Sequence, residues 1–366
     1  MNKMIVANLV HRPIRSIISI VAVAIEVTLI LLIVGLSLGM LHDSTARQVG
    51  VGGDVAVRPP NSSLFSFSGS PMLVKYAGLL LKQPHVVAAT PVITQMISSG
   101  TLELIWGIDI PSFESVGGPM HFLQGGPFQD PYDIIVDDFY AAGHKVGIGS
   151  KINLFNHEFR VSGIVANGRG GRRFLPLKTM QFLTGSEEKA SMFYVKADNP
   201  ANADMVVEEI KTIPGMESYN TMTTREYMSM LAPDKIPALS TFLTIVISIS
   251  VIIGFIVIFQ SMYTAVMERT REIGILKSLG ASKAYIVRVI VRETLALAIA
   301  GIIVGIGFTL AARAGLHARI PTLPIEFSLA WALRATAIAI GGAVLGSIYP
   351  AFKAAQKDPI DALAYE

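Results

Sequence analysis

The sequence has no cysteine, so disulfides, thiolate metal sites and a cysteine nucleophile are all excluded. It has no GxxxxGK[ST] loop: GVGGD at Gly50 and GIGSK at Gly147 lack both the spacing and the helix context needed to cradle a nucleotide phosphate. No HExxH occurs, and the seven histidines are scattered without metal-ligand spacing. No nucleophile-elbow pattern surrounds a serine. Asp137 and Asp138 read as a solvated helix start rather than paired catalytic carboxylates. Charge is scarce too, at 16% of residues with a formal net charge of +3, which gives no footprint for nucleic acid. These absences leave no enzyme, no metal and no cofactor to expect on this chain.

What the sequence does contain is apolar length. Hydrophobic residues make up 51% of the chain, and four long runs carry much of that. Residues 17–41 extend ~36 Å or more as a helix, enough to cross a bilayer. Further spans are expected at 238–263, 289–312 and 328–350. The first run is too long for a signal-peptide core and reads as an uncleaved anchor after a short N-terminal segment, 1–16. Glu26 lies inside it, where a carboxyl costs about 2.5–3.5 kcal/mol on insertion scales. It should therefore face protein or water, satisfied by a neighbouring helix (Ser250 on the second span lies at similar depth) or serving a transport or proton-relay role. Ser240, Thr244 and Ser248 form an i, i+4 row suited to helix packing, and Gly301/Gly305 and Gly342/Gly346 are small-xxx-small pairs on the last two spans.

Residues 42–237 are polar and mixed, and read as one α+β region of two intertwined parts. Strands are expected at GGDVAVRPP (from Gly52), 86–98, 101–110, 192–197 and 216–219. Helices are expected at 71–83 and 202–213, a strand end running into a helix at 175–183, and a tight turn at Asn156-His157. Two loops stand apart. Residues 61–70 (NSSLFSFSGS) expose Phe65 and Phe67, and 167–173 (NGRGGRR) carries Arg169, Arg172 and Arg173. Their composition suits contact with an envelope partner or lipid head groups, and equally a mobile hairpin tip.

The segment that organises the membrane part is 267–282, MERTREIGILKSLGAS, lying between the second and third spans. Glu272, Ile275, Leu276 and Leu279 stand at i, i+3, i+4 and i+7, so one stripe of a helix begins with a carboxylate and continues apolar. Gly280 can stop that helix in a left-handed conformation and Ser282 can cap the next one. Composition alone also allows a solvated loop with positive-inside charges. Lys3, Arg12, Arg15, Arg269, Arg271, Lys277, Lys283, Arg288, Arg292, Lys353 and Lys357 flank span ends that share one side, against Arg313, Arg319 and Arg334 opposite. That bias puts both termini and residues 264–288 in the cytoplasm, and 42–237 and 313–327 outside.

The stretch ERTREIGILKSLGAS (268–282) resembles the signature of MacB/FtsX-type ABC transporter permeases, and so does the tail YPAFKAAQKDPIDALAYE (349–366). In that tail Pro350 should end the fourth span, with Asp358-Pro359 as cap and first residue of a last turn. The pattern HKVGIGSKINLFNHEFRVSGIV, from His144, is similar to that family's periplasmic core, and WGID at Trp106 to its DevC-like and lipoprotein-releasing branches. The resemblance implies a permease dimer in the bacterial inner membrane, working with a separate ATPase that holds ATP and Mg. It further implies a coupling helix at Glu268, Arg271, Glu272, Ile275, Leu276, Lys277 and Leu279. A membrane-fusion protein, an outer-membrane channel and membrane lipids are further expected partners. The implied function is mechanotransmission that exports or extracts a hydrophobic envelope molecule; the alternative is a signalling complex that switches an external partner such as a cell-wall hydrolase. A secondary carrier is disfavoured, because four spans show no clear inverted repeat.

Overall fold

The computed structural model describes residues 13–60, 62, 72–98, 102–230, 235–320 and 322–356. The chain divides into two compact units, one made of Met1–Gly39, Pro237–Ala318 and Ile325–Glu366, the other of Met40–Ile236 and Arg319–Pro324. Helix α1 (Pro13–Gly50) contributes residues to both.

The second unit is α+β. Its strands are β1 (Val55–Arg58), β2 (Met72–Leu73), β3 (Val86–Ser98), β4 (Leu102–Ile108), β5 (Phe122–Gly125), β6 (Asp133–Asp137), β7 (Lys151–Leu154), β8 (His157–Val165), β9 (Arg173–Pro176), β10 (Lys189–Ala190), β11 (Met192–Ala197) and β12 (Asn220–Thr223). Its helices are α2 (Tyr76–Leu80), α3 (Ile110–Gly117), α4 (Asp138–His144), α5 (Leu177–Leu183), α6 (Ala203–Lys211) and α7 (Thr224–Met230). The main sheet runs β12-β1-β11-β3-β4-β9-β6-β8-β5, with β7 beside β8. The β4–β9 and β6–β8 pairs are parallel, and the other pairs in the sheet are antiparallel. Strands inside the sheet are largely buried: all five residues of β6 are, with apolar Ile134, Ile135 and Val136 between Asp133 and Asp137 at its ends. Two cores form within the unit, one around Trp106, Phe113, Phe174 and Phe193, the other around Ile134, Phe159, Leu175 and Met180.

Several expectations shift here. The hairpin turn between β7 and β8 is Phe155-Asn156, with φ of 51° and 61°, one residue earlier than the sequence suggests. Two left-handed residues in a two-residue loop match the twist of the paired strands. Residues 216–219 form no strand: Met216 is fully buried in the core, and pairing starts only at Asn220. The helix expected at 71–83 shortens to α2, because Met72 and Leu73 pair with β10. Asp137 caps α4 by accepting from Tyr140 N at 2.6 Å, but its side chain is 1% exposed and not solvated.

The first unit holds α8 (Pro237–Glu268), α9 (Thr270–Ser278), α10 (Lys283–Arg319) and α11 (Leu329–Gln356) besides most of α1. Helices α1, α8, α10 and α11 are long and apolar enough to cross a membrane. Helix α8 keeps Phe242, Ile245, Ile249, Ile252, Ile253 and Ile256 about half exposed, a surface that water does not tolerate. α1 meets α10 where Gly301 and Gly305 let its backbone approach, and Thr28 Oγ1 donates to Gly305 O at 3.1 Å. It meets α8 through Ser19 and Ser261, whose hydroxyls are 2.6 Å apart. Gly346 of α11 lies against the α8 backbone, whereas a side chain at Gly342 would meet nothing within 4 Å. Thr244 and Ser248 of the hydroxyl row of α8 are exposed, and Ser240 is half-buried. Pro350 sits inside α11 and does not end it, since buried Ala351, Ala354 and Ala355 continue the packed face.

Candidate functional site

Helix α9 begins where α8 breaks at Arg269, the one residue between the two helices. Its far end closes as the sequence predicts. Gly280 adopts φ +95°, Ala281 N donates to Leu276 O and Gly280 N to Lys277 O, both at 3.0 Å. These are the paired bonds of a Schellman stop. Ser282 then caps α10 by accepting from Tyr285 N at 3.2 Å. The connection from α9 to α10 is thus fixed by local chemistry on both of its sides, whereas Arg269 at the start of α9 supplies no side-chain cap.

The two sides of α9 differ. Ile273 packs on the bundle core, Thr270 and Gly274 are buried, and Leu276 lines a cavity of about 120 Å³ between α8, α9 and α10. Lys277 Nζ donates to Ala355 O at 3.1 Å, tying α9 to the end of α11. On the outer side Arg271 is exposed, Ile275 is 45% exposed and Leu279 80%, while Glu272 is exposed at the rim and also lines the cavity. Glu268, at the end of α8, is also exposed and lies 3.6 Å from Arg15. The outward knob is therefore Ile275 with Leu279, one turn apart and flanked by Arg271 and Glu272, while Leu276 and Lys277 face the protein's own bundle.

Sequence reasoning passes over the ion cluster at the root of this helix. Glu293 of α10 is 4% exposed and accepts from Arg269 and Arg15. The signal was an acid one turn into an apolar span, close to an arginine-rich segment.

Glu26 is 4% exposed and its carboxyl lies against Gly254 of α8, where a Cβ would fall 2.0 Å from Oε2. Its Oε1 has no hydrogen-bond partner among the described residues. Ser250 is buried too, but donates to Val246 O of its own helix at 2.9 Å rather than to Glu26.

In the α+β unit, the basic loop is a clasp on the end of α1 and not a hairpin tip. Arg169 donates to the carbonyls of Gly50 (3.2 Å), Pro119 (2.7 Å) and Gly118 (2.9 Å). Gly170 N donates to Arg47 O at 2.7 Å. Arg172 bridges Asp43 (3.1 Å) and Asp137 (3.4 Å), and Arg173 is 2% exposed over the Tyr140 ring. A cation at a helix C-terminus meets the free carbonyls and the negative end of the dipole. Gly170 and Gly171 let the loop lie on the Trp106 indole, which a Cβ at either position would approach to 2.5–2.7 Å. Burial pushes the Asp137 carboxyl up to about 6, against the opposing pull of the Tyr140 amide and Arg172. Phe65 and Phe67 lie outside the described residues. No group of three or more metal-ligating side chains occurs among the described residues.

Comparisons with known proteins agree along nearly the whole chain. Residues 16–213 match the MacB-like periplasmic core domain, and residues 244–359 match the FtsX-like permease C-terminal family. The macrolide export ATP-binding/permease protein MacB of Neisseria gonorrhoeae is 25% identical over 320 residues, covering 79% of this chain and 48% of that protein. An uncharacterized ABC transporter permease of Bacillus subtilis, YknZ, is 35% identical over 262 residues, covering 63% of this chain and 64% of that one. The chain spans about half the length of the MacB relatives it matches. Among solved structures, the periplasmic region of MacB from Actinobacillus actinomycetemcomitans aligns with 50% of this chain and 94% of its own, at 16% identity and a TM-score of 0.39.

Proposed function

Since the chain belongs to the MacB/FtsX family of ABC transporter permeases, we propose that it is the membrane subunit through which a separate ATPase drives conformational change outside the cell membrane. The observation that carries this is α9: a helix closed by a Schellman stop between two long apolar helices, presenting Ile275 and Leu279 beside Arg271 and Glu272. An exposed apolar pair rimmed by charges suits a groove on a partner protein. ATP and Mg act on that partner. Nucleotide state then shifts the permease only by its differential binding to two conformations.

In this reading the α+β domain is inserted between the first and second spans and lies outside the bacterial inner membrane. Both termini and α9 are cytoplasmic, as the clustering of Arg and Lys implies. Two copies of the chain pair in the membrane. The substrate is a hydrophobic envelope molecule, such as a lipoprotein, glycolipid, drug or peptide, handled outside or in the outer leaflet. A membrane-fusion protein and an outer-membrane channel complete the path where export crosses the envelope.

The test is a mild-detergent purification of the tagged full-length chain from its native membrane, with mass spectrometry of what accompanies it. Wild type should bring an ABC ATPase, and Leu279→Asp should recover at least about tenfold less, the effect of removing one anchoring contact of ~1.4 kcal/mol or more. Equal recovery from both would sink the assignment of α9. Bound lipid or lipoprotein would narrow the cargo, and a co-purified wall hydrolase without other partners would favour signalling.

A further inference from the structure

The junction of α8 and α9 is anchored by a carboxylate that the docking of an ATPase does not itself require. Both Glu293 oxygens accept from Arg269 Nη1, at 3.1 and 3.3 Å, and Oε1 also accepts from Arg15 Nη2 at 3.3 Å. Arg269 is the link residue between α8 and α9, Arg15 lies in the first turn of α1, and Glu293 stands in the third turn of α10. One buried carboxylate therefore joins the root of α9 to two membrane-crossing helices. Glu293 and Arg269 themselves line the cavity of about 120 Å³, together with Glu272, Ile273, Leu276 and Ile286. Helix α9 is consequently held at its root by ions and near its far end by the Lys277–Ala355 bond, with free space beside Glu272, Ile273 and Leu276 between them.

Such an arrangement has a mechanical consequence. Apolar contacts slide at little cost, whereas a buried carboxylate loses much if its cations withdraw. Charge-assisted bonds to fixed guanidinium forks also have a direction. A push on α9 is then free to rock the helix over the cavity but not to detach its root, and the displacement passes to α1 and α10 together.

We propose that Glu293 is the pivot of this permease: a positioning residue that converts movement of α9 into concerted movement of α1 and α10. The pivot rests on the reading of α9 as the ATPase-facing helix, and it separates docking from transmission. With Glu293 neutralised, the ATPase still docks on Ile275 and Leu279, but α9 moves alone.

The test uses the full-length chain in nanodiscs, followed by hydrogen exchange and mass spectrometry. Glu293→Gln should accelerate exchange on the order of tenfold in α9, in the opening turns of α1 and in the opening turns of α10 together. Acceleration confined to α10, or none, overturns the pivot. The swap Arg269→Glu with Glu293→Arg re-forms the α9–α10 pair and should restore protection there to within about threefold of wild type, where each single change does not, while the opening turns of α1 stay loosened because Arg15 then faces a cation. A residue that merely fills space shows no such rescue, and its absence overturns the proposal. Should Glu293→Gln fail to fold, Arg15→Gln keeps the Arg269 pair and should loosen α1 while α9 stays protected; loosening of neither, or of α9 with α1 protected, overturns the pivot. In pull-downs Glu293→Gln should recover the ATPase to within about twofold of wild type. Loss of the ATPase from this variant with α9 still protected overturns the pivot. Failure of wild type to recover any ATPase instead refutes the coupling reading, and the exchange data still judge the pivot.

Discussion

Replacing Gly301 by alanine will push α1 away from α10, whereas the same change at Gly342 will not disturb the bundle. Both glycines belong to small-xxx-small pairs, and by motif they are equivalent. A Cβ at Gly301 would fall 2.6 Å from Val23 Cβ and 2.8 Å from the backbone oxygen of Ile20, while one at Gly342 meets nothing within 4 Å. Alanine is worth about 1 kcal/mol over glycine in a helix interior, so Gly342→Ala should be neutral or stabilising by up to that amount. At Gly301 the same gain is opposed by overpacking of about 1–3 kcal/mol. The upper part of that range applies, because Thr28 holds Gly305 O at 3.1 Å and Glu326 N holds Gly35 O at 3.0 Å, so α1 has little freedom to slide. The expected difference between the two variants is roughly 2 kcal/mol, or about thirtyfold in the unfolding equilibrium. An SDS titration of the purified chain in mixed micelles, followed by tryptophan fluorescence, measures it. Equal midpoints for the two variants would refute the packing of α1 on α10.

Arg169→Ala removes three bonds from one guanidinium to carbonyls at the end of α1 and in the turn after α3; we expect a loss of about 2–3 kcal/mol and faster hydrogen exchange at residues 47–51. Asp137 titrates near 6 when folded and near its ordinary value of 3.8 when unfolded. The folded form therefore binds the extra proton, so the stability this group contributes is complete below about 4 and declines by about 3 kcal/mol as pH rises through about 6. Asp137→Asn should flatten that slope in chemical unfolding measured from pH 4 to 7, and an unchanged slope would assign it to another group. Leu276→Asp places a charge in the cavity beside Glu293 and should lower bundle stability by more than about 2 kcal/mol, unlike Leu279→Asp, which should leave it unchanged; equal thermal shifts would show that Leu276 does not face inward.

Much of the architecture was legible because it is written in local patterns. Apolar runs of bilayer length mark the four long helices, and a glycine and a serine mark the connection from α9 to α10. The site was legible only in part. Helical spacing groups Ile275, Leu276 and Leu279 on one stripe, but a stripe wide enough to hold them does not say where the bundle meets it. The contact turns Leu276 inward and leaves Ile275 and Leu279 outside. The loop at 167–173 was misjudged for the opposite reason. Glycine and arginine have the composition of a mobile tip, and only the indole of Trp106 and the carbonyls at the end of α1 make that composition a clasp. The turn at Phe155-Asn156 escaped because backbone register, not residue preference, decides which two residues take φ > 0.

By itself, then, the sequence determined the membrane class, the family, the number of long apolar helices and the position of the short helix among them. Those follow from hydropathy, spacing and caps, which act over a few residues and need no partner. Only the tertiary structure decided which side of α9 is free, which of two equivalent glycine motifs receives α1, and that Glu293 joins Arg15 and Arg269 across 278 and 24 residues of chain. Each of these depends on which surfaces meet at long range. Burial and desolvation at those meetings, not local preference, set what a side chain does.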